Sequence, residues 1–254
     1  MYRYAATRQQ EILRVLHATG QIDAASLAAE FGVTAETVRK DLIALERQGL
    51  LRRVHGGALP VEALTFEPEV SARTEFTEEK TRIARAALAH LDRAGSVFLD
   101  AGSTTSRLAE ILPTDRPLTI FTNTLSIALT LVAKPNLTVF TLGGRVRGRT
   151  LAEVDTWAAR ALQEINVDVA FLGTNGISLT RGLTTPDPAE AAIKRLMLSC
   201  AVRRVLLADH SKVGRTSLCQ HGTLADIDAL ITDTGLADTD LDALRAAGSA
   251  VELA

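Results

Sequence analysis

From residue 96 onward the chain alternates short apolar runs with amphipathic ones, and few folds accept that pattern. The runs SVFLD (96–100), LTIFT (118–122), LTVFTL (137–142), VDVAFLG (167–173), RVLLAD (204–209) and DALITD (228–233) are strand-sized. Helical periodicity falls between most of them, at 105–112, 126–132, 153–165 and 188–200. Strands that are apolar throughout, with little period-2 alternation, are buried on both faces. The expectation is an α/β unit built on a mostly parallel sheet, with helices on either side. Ligands of such sheets bind beyond the carboxyl ends of the strands.

The residues at those ends therefore carry the functional information. The first strand ends in Asp100 and runs into AGSTTS; the second ends in Thr122, Asn123 and Thr124. The third leads into GGRVRGR, with Gly143, Gly144, Arg145 and Arg147, and the fourth into GTNG, with Gly173, Asn175 and Gly176. The fifth ends in Asp209, His210, Ser211 and Lys212. Gly102, Ser103, Thr104 and Thr105 open a helix, so backbone N–H groups and hydroxyls gather where a phosphate is held well. Arg145, Arg147 and Lys212 offer positive charge. Asp100, Asn123 and Asp187 can share the hydroxyl hydrogens of a polyol. One such loop is no more than a capped helix start; five on one sheet edge point to a small phosphorylated polyol.

The first sixty residues follow another pattern. The stretch DAASLAAEFGVTAET (23–37) describes two short helices meeting at a tight corner. Asp23 caps the first, which buries Leu27 and Phe31; Ala28 is small where the helices meet. Gly32 takes the left-handed backbone that ends it, and Thr34 caps the next helix. A preceding helix over 7–18 turns Ile12, Leu13 and Leu16 inward. The third helix runs to near Gly49 with Val38, Leu42 and Leu45 as its inner stripe, leaving Ala35, Glu36, Thr37, Arg39 and Lys40 outside near its start. A recognition helix reaches base edges with that end. In LLRRVHGGA, Leu51 and Val54 pin a strand, Gly56 and Gly57 allow a turn, and Arg52, Arg53 and His55 form a basic wing. The expectation is a winged helix-turn-helix that reads double-stranded DNA through Thr34–Thr37, Arg39, Lys40, Arg52, Arg53, His55 and Gly56.

Domain bounds follow: 1–58 for the DNA-binding unit, 59–76 with Pro60 and Pro68 for a linker, and 77–254 for a sensor and oligomerisation unit that starts on a helix capped by Thr77. The net charge of −2 excludes a uniformly basic coat. Its distribution fits the division, +2 over residues 1–60 and −4 over the rest. Two cysteines make no disulfide framework and suit a reducing compartment. No apolar run has membrane-spanning length and no signal peptide is apparent, so a cytoplasmic protein is expected. His17, His55, His90, His210 and His221 lack ligand spacing, so neither metal nor cofactor is expected.

These motifs, in this order, resemble the DeoR family of bacterial transcriptional repressors. The likeness runs through FGVTAETVRKDLIALERQGLLRRVHGGA, LDAGSTT, FTNTL, LGGRVR, FLGTNGIS, GLTTPDPAEAAIKR and LLADHSKVG, over nearly all of residues 7–235. It implies a winged helix-turn-helix joined to a sensor related to ribose-5-phosphate isomerase, and a metabolic repressor released from its operator by a sugar phosphate. The family's phosphate loop carries over onto Gly102, Ser103, Thr104 and Thr105, with Asp100 leading it. The other loops carry over onto Thr122 and Asn123; Gly143, Gly144 and Arg145; Gly173, Asn175 and Gly176; and Asp209, Ser211 and Lys212. Here the phosphate loop reads GST where many relatives read GTT, and Ser103 keeps the hydroxyl. Within the family the chain looks most like actinobacterial fructose-operon repressors, which suggests fructose 1-phosphate. A homo-oligomer, dimer or tetramer, is expected. Two rivals stand beside this reading: a sugar-phosphate isomerase using Asp100, Asp187, Glu190 or Lys212, and a DNA-binding activator or architectural protein without a ligand.

Overall fold

A computed structural model describes residues 5–47, 50–54, 56–60, 64–65 and 67–254, with His17 and Arg52 known by their backbone alone. The chain divides into two compact units, Met1–Pro68 and Glu69–Ala254.

The first unit is α1 (Ala5–Thr19), β1 (Ile22–Asp23), α2 (Ala24–Phe31), α3 (Ala35–Arg47), β2 (Arg52–Val54) and β3 (Gly57–Leu59). Ile12, Leu16, Leu27, Phe31, Val38, Leu42, Leu45 and Leu51 form its core. The corner between α2 and α3 is built as its residues require. The Asp23 carboxylate accepts the Ser26 N–H at 2.8 Å. Gly32 sits at φ 66°, a left-handed backbone that glycine adopts without cost. The Thr34 hydroxyl accepts the Thr37 N–H at 3.2 Å. α1 is tied to α3 by a buried pair between Arg8 and Asp41, and Gln9 donates to the same carboxylate at 3.1 Å.

Two details differ from the sequence reading. Val54 is 42% exposed at the end of an edge strand, and the wing is pinned by Leu51 with Ala58 of β3. Gly56, at φ 81°, is the turn glycine, whereas Gly57 lies in β3 opposite Asp23 of β1. The expected end of the third helix at Gly49, and wing residue His55, lie outside the described residues.

The second unit contains α4 (Thr77–Ala87), β4 (Ser96–Leu99), α5 (Ser103–Ile111), β5 (Leu118–Thr122), α6 (Leu125–Leu131), β6 (Leu137–Thr141), β7 (Arg145–Val146), β8 (Glu153–Val154), α7 (Asp155–Gln163), β9 (Val167–Leu172), β10 (Gly176–Ser178), β11 (Gly182–Thr185), α8 (Pro188–Ser199), β12 (Ala201–Leu207), β13 (Cys219–Gly222), β14 (Ala229–Thr232), α9 (Asp238–Ala246) and β15 (Val251–Leu253). Seven strands form one sheet in the order β15-β14-β12-β9-β4-β5-β6, every neighbouring pair parallel. Residues of α4, α5 and α6 pack on one face, and those of α7, α8 and α9 on the other. The strand order reverses between β4 and β9, so the crevice at their carboxyl ends is where this architecture receives a ligand.

The six strands expected from the sequence are present, and β15 with α9 extends the sheet beyond them. Glu153, expected in a helix, is in β8, because the β7–β8 hairpin holds it until α7 starts at Asp155. Thr77 is not the cap of α4. Phe76 is, at φ 55°, while the Thr77 hydroxyl donates to the Thr74 carbonyl at 2.7 Å.

A Cβ on Gly57 would stand 1.8 Å from the Ile22 carbonyl oxygen, backbone that is itself held in the sheet. Gly57→Ala is therefore expected to destabilise the first unit by about 3 kcal/mol, the upper range for overpacking. Chemical denaturation followed by circular dichroism should show an early transition for the first unit and an unchanged one for the second.

Candidate functional site

The first unit presents the start of α3. Thr34, Ala35, Glu36, Arg39 and Lys40 are exposed there, and Thr37 is half-buried. Arg39 faces Glu36 at 3.7 Å, a loose surface pair that leaves its guanidinium accessible. On the wing, Arg53 is held more firmly: its Nε donates to Glu46 at 2.7 Å and its backbone N–H to the same carboxylate at 2.9 Å. That contact orients the wing against α3.

In the second unit the crevice at the strand-order reversal is spanned by charge. Asp100, fully buried after β4, receives the Lys194 ammonium from α8 and the Gly173 N–H, at 2.9 Å, from the end of β9. Lys194 also donates to the Gly173 carbonyl at 2.9 Å. Burial pushes the Asp100 carboxyl above its usual range, and Lys194 and the Gly173 N–H hold it back. One oxygen of Asp100 has no hydrogen-bond partner.

Beside it, Asp187 caps α8 by accepting the Glu190 N–H at 2.9 Å. The Arg147 guanidinium lies between Asp187, at 3.2 Å, and Glu190. This places the β7–β8 hairpin on the start of α8. The hairpin is strained: Leu151 and Asp155 have φ of 56° and 74°, costly for residues with side chains.

Several residues singled out from the sequence shape the loops from within. Thr122 donates to the Leu99 carbonyl at 2.7 Å, Asn123 accepts the Ala101 N–H at 2.8 Å, and Thr105 donates to the Gly102 carbonyl at 2.9 Å. Asn175 accepts from Thr185 at 3.1 Å, and a Cβ on Gly176 would stand 2.6 Å from the Arg215 carbonyl oxygen. The Gly143 N–H donates to Glu153 at 2.9 Å. A Cβ on Gly144 would meet the Val154 carbonyl oxygen at 2.6 Å, so the loop closes there on β8. Arg145 points outward, 58% exposed and paired with Asp155 at 2.6 Å. Ser103 and Gly102 are half-buried and Thr104 is buried. The first bond within α5 runs from the Ser106 N–H to the Gly102 carbonyl at 3.0 Å. The N–H groups of Ser103, Thr104 and Thr105 thus form the helix's unpaired end.

A second charged group gathers after β12. Lys212 lies 3.9 Å from Asp209, and burial lowers its ammonium to about 8, with Arg215, Lys80 and Arg73 pressing the same way. Lys80, buried on α4, is also lowered chiefly by burial, as is Arg215. That same buried Asp209 oxygen, and a buried Nε of Arg215, have no hydrogen-bond partner. Among the described residues no group of His, Cys, Asp and Glu could hold a metal ion, and no helix is long and apolar enough to cross a membrane.

Comparison with known proteins identifies the architecture. The model of the DeoR-like helix-turn-helix domain matches residues 8–63, and that of the DeoR C terminal sensor domain matches residues 75–234. The chain belongs to the DeoR family. It is 36% identical to the HTH-type transcriptional regulator GlpR of Haloferax volcanii, over 97% of this chain and 96% of that one. It is 32% identical to the putative aga operon transcriptional repressor of Escherichia coli O157:H7, over 97% and 93%. To the glycerol-3-phosphate regulon repressor of Escherichia coli K12 it is 30% identical, over 89% and 90%. Among solved structures, ribose 5-phosphate isomerase A of Methanocaldococcus jannaschii aligns over 53% of each chain at 18% identity and a TM-score of 0.38. The protein is a DeoR-type transcriptional regulator, not an enzyme: a helix-turn-helix unit binds DNA and a sensor domain binds an effector.

Lys194, Lys80 and Arg215 are not among the residues that the sequence pattern singles out. The signal for the lysines was a charge inside an apolar stripe. Lys194 shares the buried face of α8 with Ala191, Met197 and Leu198, and Lys80 that of α4 with Ile83, Ala84 and Ala87. Removing one partner of a buried pair strands the other. Lys194→Met is expected to cost about 3 kcal/mol in urea denaturation, with part of it recovered when Asp100→Asn is added.

Proposed function

We propose that this regulator is a repressor of a sugar-catabolic operon, acting in the cytoplasm and released from its operator by a phosphorylated sugar. The observation that carries this is the pairing of two unlike groups at one sheet edge. Lys80, Lys212 and Arg215, with Arg73 beside them, outnumber the carboxylates Asp209 and Glu75 on one side, an arrangement suited to an anion. The unspent oxygen of Asp100 on the other lacks a hydroxyl donor. The phosphate is assigned to Lys212 and the start of α5, with Gly102, Ser103, Thr104 and Thr105. The sugar hydroxyls are assigned to Asp100, Asn175 and Asp187. Gly173 and Gly176, with Thr122 and Asn123, shape the walls. Gly143, Gly144, Arg145 and Arg147 belong to the hairpin that borders the site. The names of the relatives include a glycerol-3-phosphate regulon repressor, a putative aga operon transcriptional repressor and an uncharacterized regulator called FruR, and fructose 1-phosphate is the first candidate to try.

Operator binding is assigned to Thr34–Thr37, Arg39 and Lys40 on the recognition helix and to Arg52, Arg53, His55 and Gly56 on the wing. One such module covers too little DNA for operator affinity, so at least a dimer, held through residues 77–254, binds a repeated or symmetric site. The effector acts by binding the DNA-incompetent arrangement better, with a coupling of about 1–3 kcal/mol.

Fluorescence anisotropy of the protein–operator complex tests the reading. A phosphorylated sugar should release the DNA and its unphosphorylated parent should not; Lys212→Met should stay bound. If no sugar phosphate releases DNA, the effector class is wrong. Because the Lys212 ammonium titrates at about 8, effector affinity should hold at neutral pH and fall as pH rises through that value. Calorimetric titration across pH 7–9 would register a pH-independent affinity as contrary to a phosphate at Lys212. Arg39→Ala should lower operator affinity at least tenfold, flatten its salt dependence and leave sugar-phosphate binding as in wild type.

A further inference from the structure

We propose that Lys80 transmits occupancy of the anion seat to the segment that leads into the DNA-binding unit, by tightening residues 69–76 as a strap when an anion is bound. The inference rests on the anion seat proposed above. Three observations single out this segment. First, the second compact unit begins at Glu69, directly after the last residue of the first, so anything that orders 69–76 orders the chain on which the DNA-binding unit is carried. Second, the segment is tethered at three places. The Val70 N–H donates to the Arg149 carbonyl at 2.8 Å, in the loop of the β7–β8 hairpin. The Lys80 ammonium donates to the carbonyls of Arg73 and Glu75 at 3.1 and 2.6 Å. The Phe76 ring stands edge-on to His210, 4.8 Å between centroids, and His210 is fixed to Asp233 by a 2.7 Å bond. Third, the strap is held under strain, since Phe76 adopts a left-handed backbone at φ 55°.

Lys80 belongs to both the strap and the seat. An ammonium has three donors; two go to the strap, and one remains for a ligand. Its charge is opposed by burial and by Arg73 and Arg107, with Asp209 and Glu75 as the carboxylates that offset them. A bound phosphomonoester adds negative charge, favours the protonated amine and takes the third donor. The two strap bonds are then made by an ammonium that no longer lacks a counter-charge, and they become harder to break. Capturing the anion and closing the strap are thus one event.

Hydrogen exchange on the full-length protein, with inorganic phosphate and with fructose 1-phosphate as probes, tests this. Slower exchange in the first turn of α5 reports that the seat is filled. At saturation, exchange across 69–76 should slow at least tenfold in wild type. Phe76→Ala loosens the strap without touching the seat; it should exchange faster across 69–76 at every ligand concentration and still protect α5. Lys80→Met should bind at least tenfold more weakly and, at saturation, leave 69–76 unprotected. Protection of α5 with no change, or faster exchange, across 69–76 in wild type would overturn the relay and leave the seat standing. Full strap protection in Lys80→Met would overturn it too. No protection of α5 by either probe would remove the seat, and the relay with it.

Discussion

The reversal of strand order between β4 and β9 is the constraint on which the second unit depends. Helices leave these neighbouring strands toward opposite faces, so a crevice opens between their carboxyl ends. Asp100 stands on one side, Gly173 on the other, and Lys194 reaches between them from α8. A buried ion pair of this kind adds little net stability over an apolar pair, because both ions lose their water. Its effect is geometric: it fixes the spacing of two strand ends and sets one carboxylate oxygen, still without a donor, at the crevice.

The two sides of this edge differ electrostatically, and the difference has a consequence for the ligand. Around Asp100 and α8 the balance runs the other way, with each cation held by carboxylates: Lys194 by Asp100, and Arg147 by both Asp187 and Glu190. After β12, Lys212, Lys80 and Arg215 have only Asp209 and, for the last two, Glu75 to offset them, and burial lowers all three cations. Such a surplus is maintained at a cost in the absence of a partner. On the function proposed above, a molecule with one anionic end and one hydroxylated end complements both sides, whereas a neutral sugar answers only one and inorganic phosphate only the other.

The sequence made the sheet legible because burial on both faces leaves an apolar run that nothing else produces at that length. The helix-turn-helix was legible because Asp23, Gly32 and Thr34 are each needed by backbone chemistry at a fixed offset. The β7–β8 hairpin was not, since its strands are two residues long and its bends rest on Leu151 and Asp155 in left-handed conformations, where sequence alone favours glycine or asparagine. Within the site, loop positions were found from the strand ends, but partners were not. Arg145 and Arg147 look alike in GGRVRGR, yet one pairs with exposed Asp155 and the other with half-buried Asp187 and buried Glu190. Lys194 lies ninety-four positions from Asp100, a separation that no local pattern reports.

The charge on the DNA-binding unit sets how strong the effector's influence must be. Arg39 and Lys40 are open to phosphate, whereas Arg53 is already engaged by Glu46. The fewer cations a module brings to phosphate, the fewer counterions it releases on binding, and the lower the affinity of a single module at physiological salt. Two modules on one operator gain roughly 10²–10⁴ over one through effective concentration, provided both can reach their half-sites together. A ligand that merely restricts the chain leading to each module can remove that gain without altering any protein–DNA contact. An effect worth a few kcal/mol at the sensor is then sufficient, because it acts on simultaneous engagement and not on recognition itself.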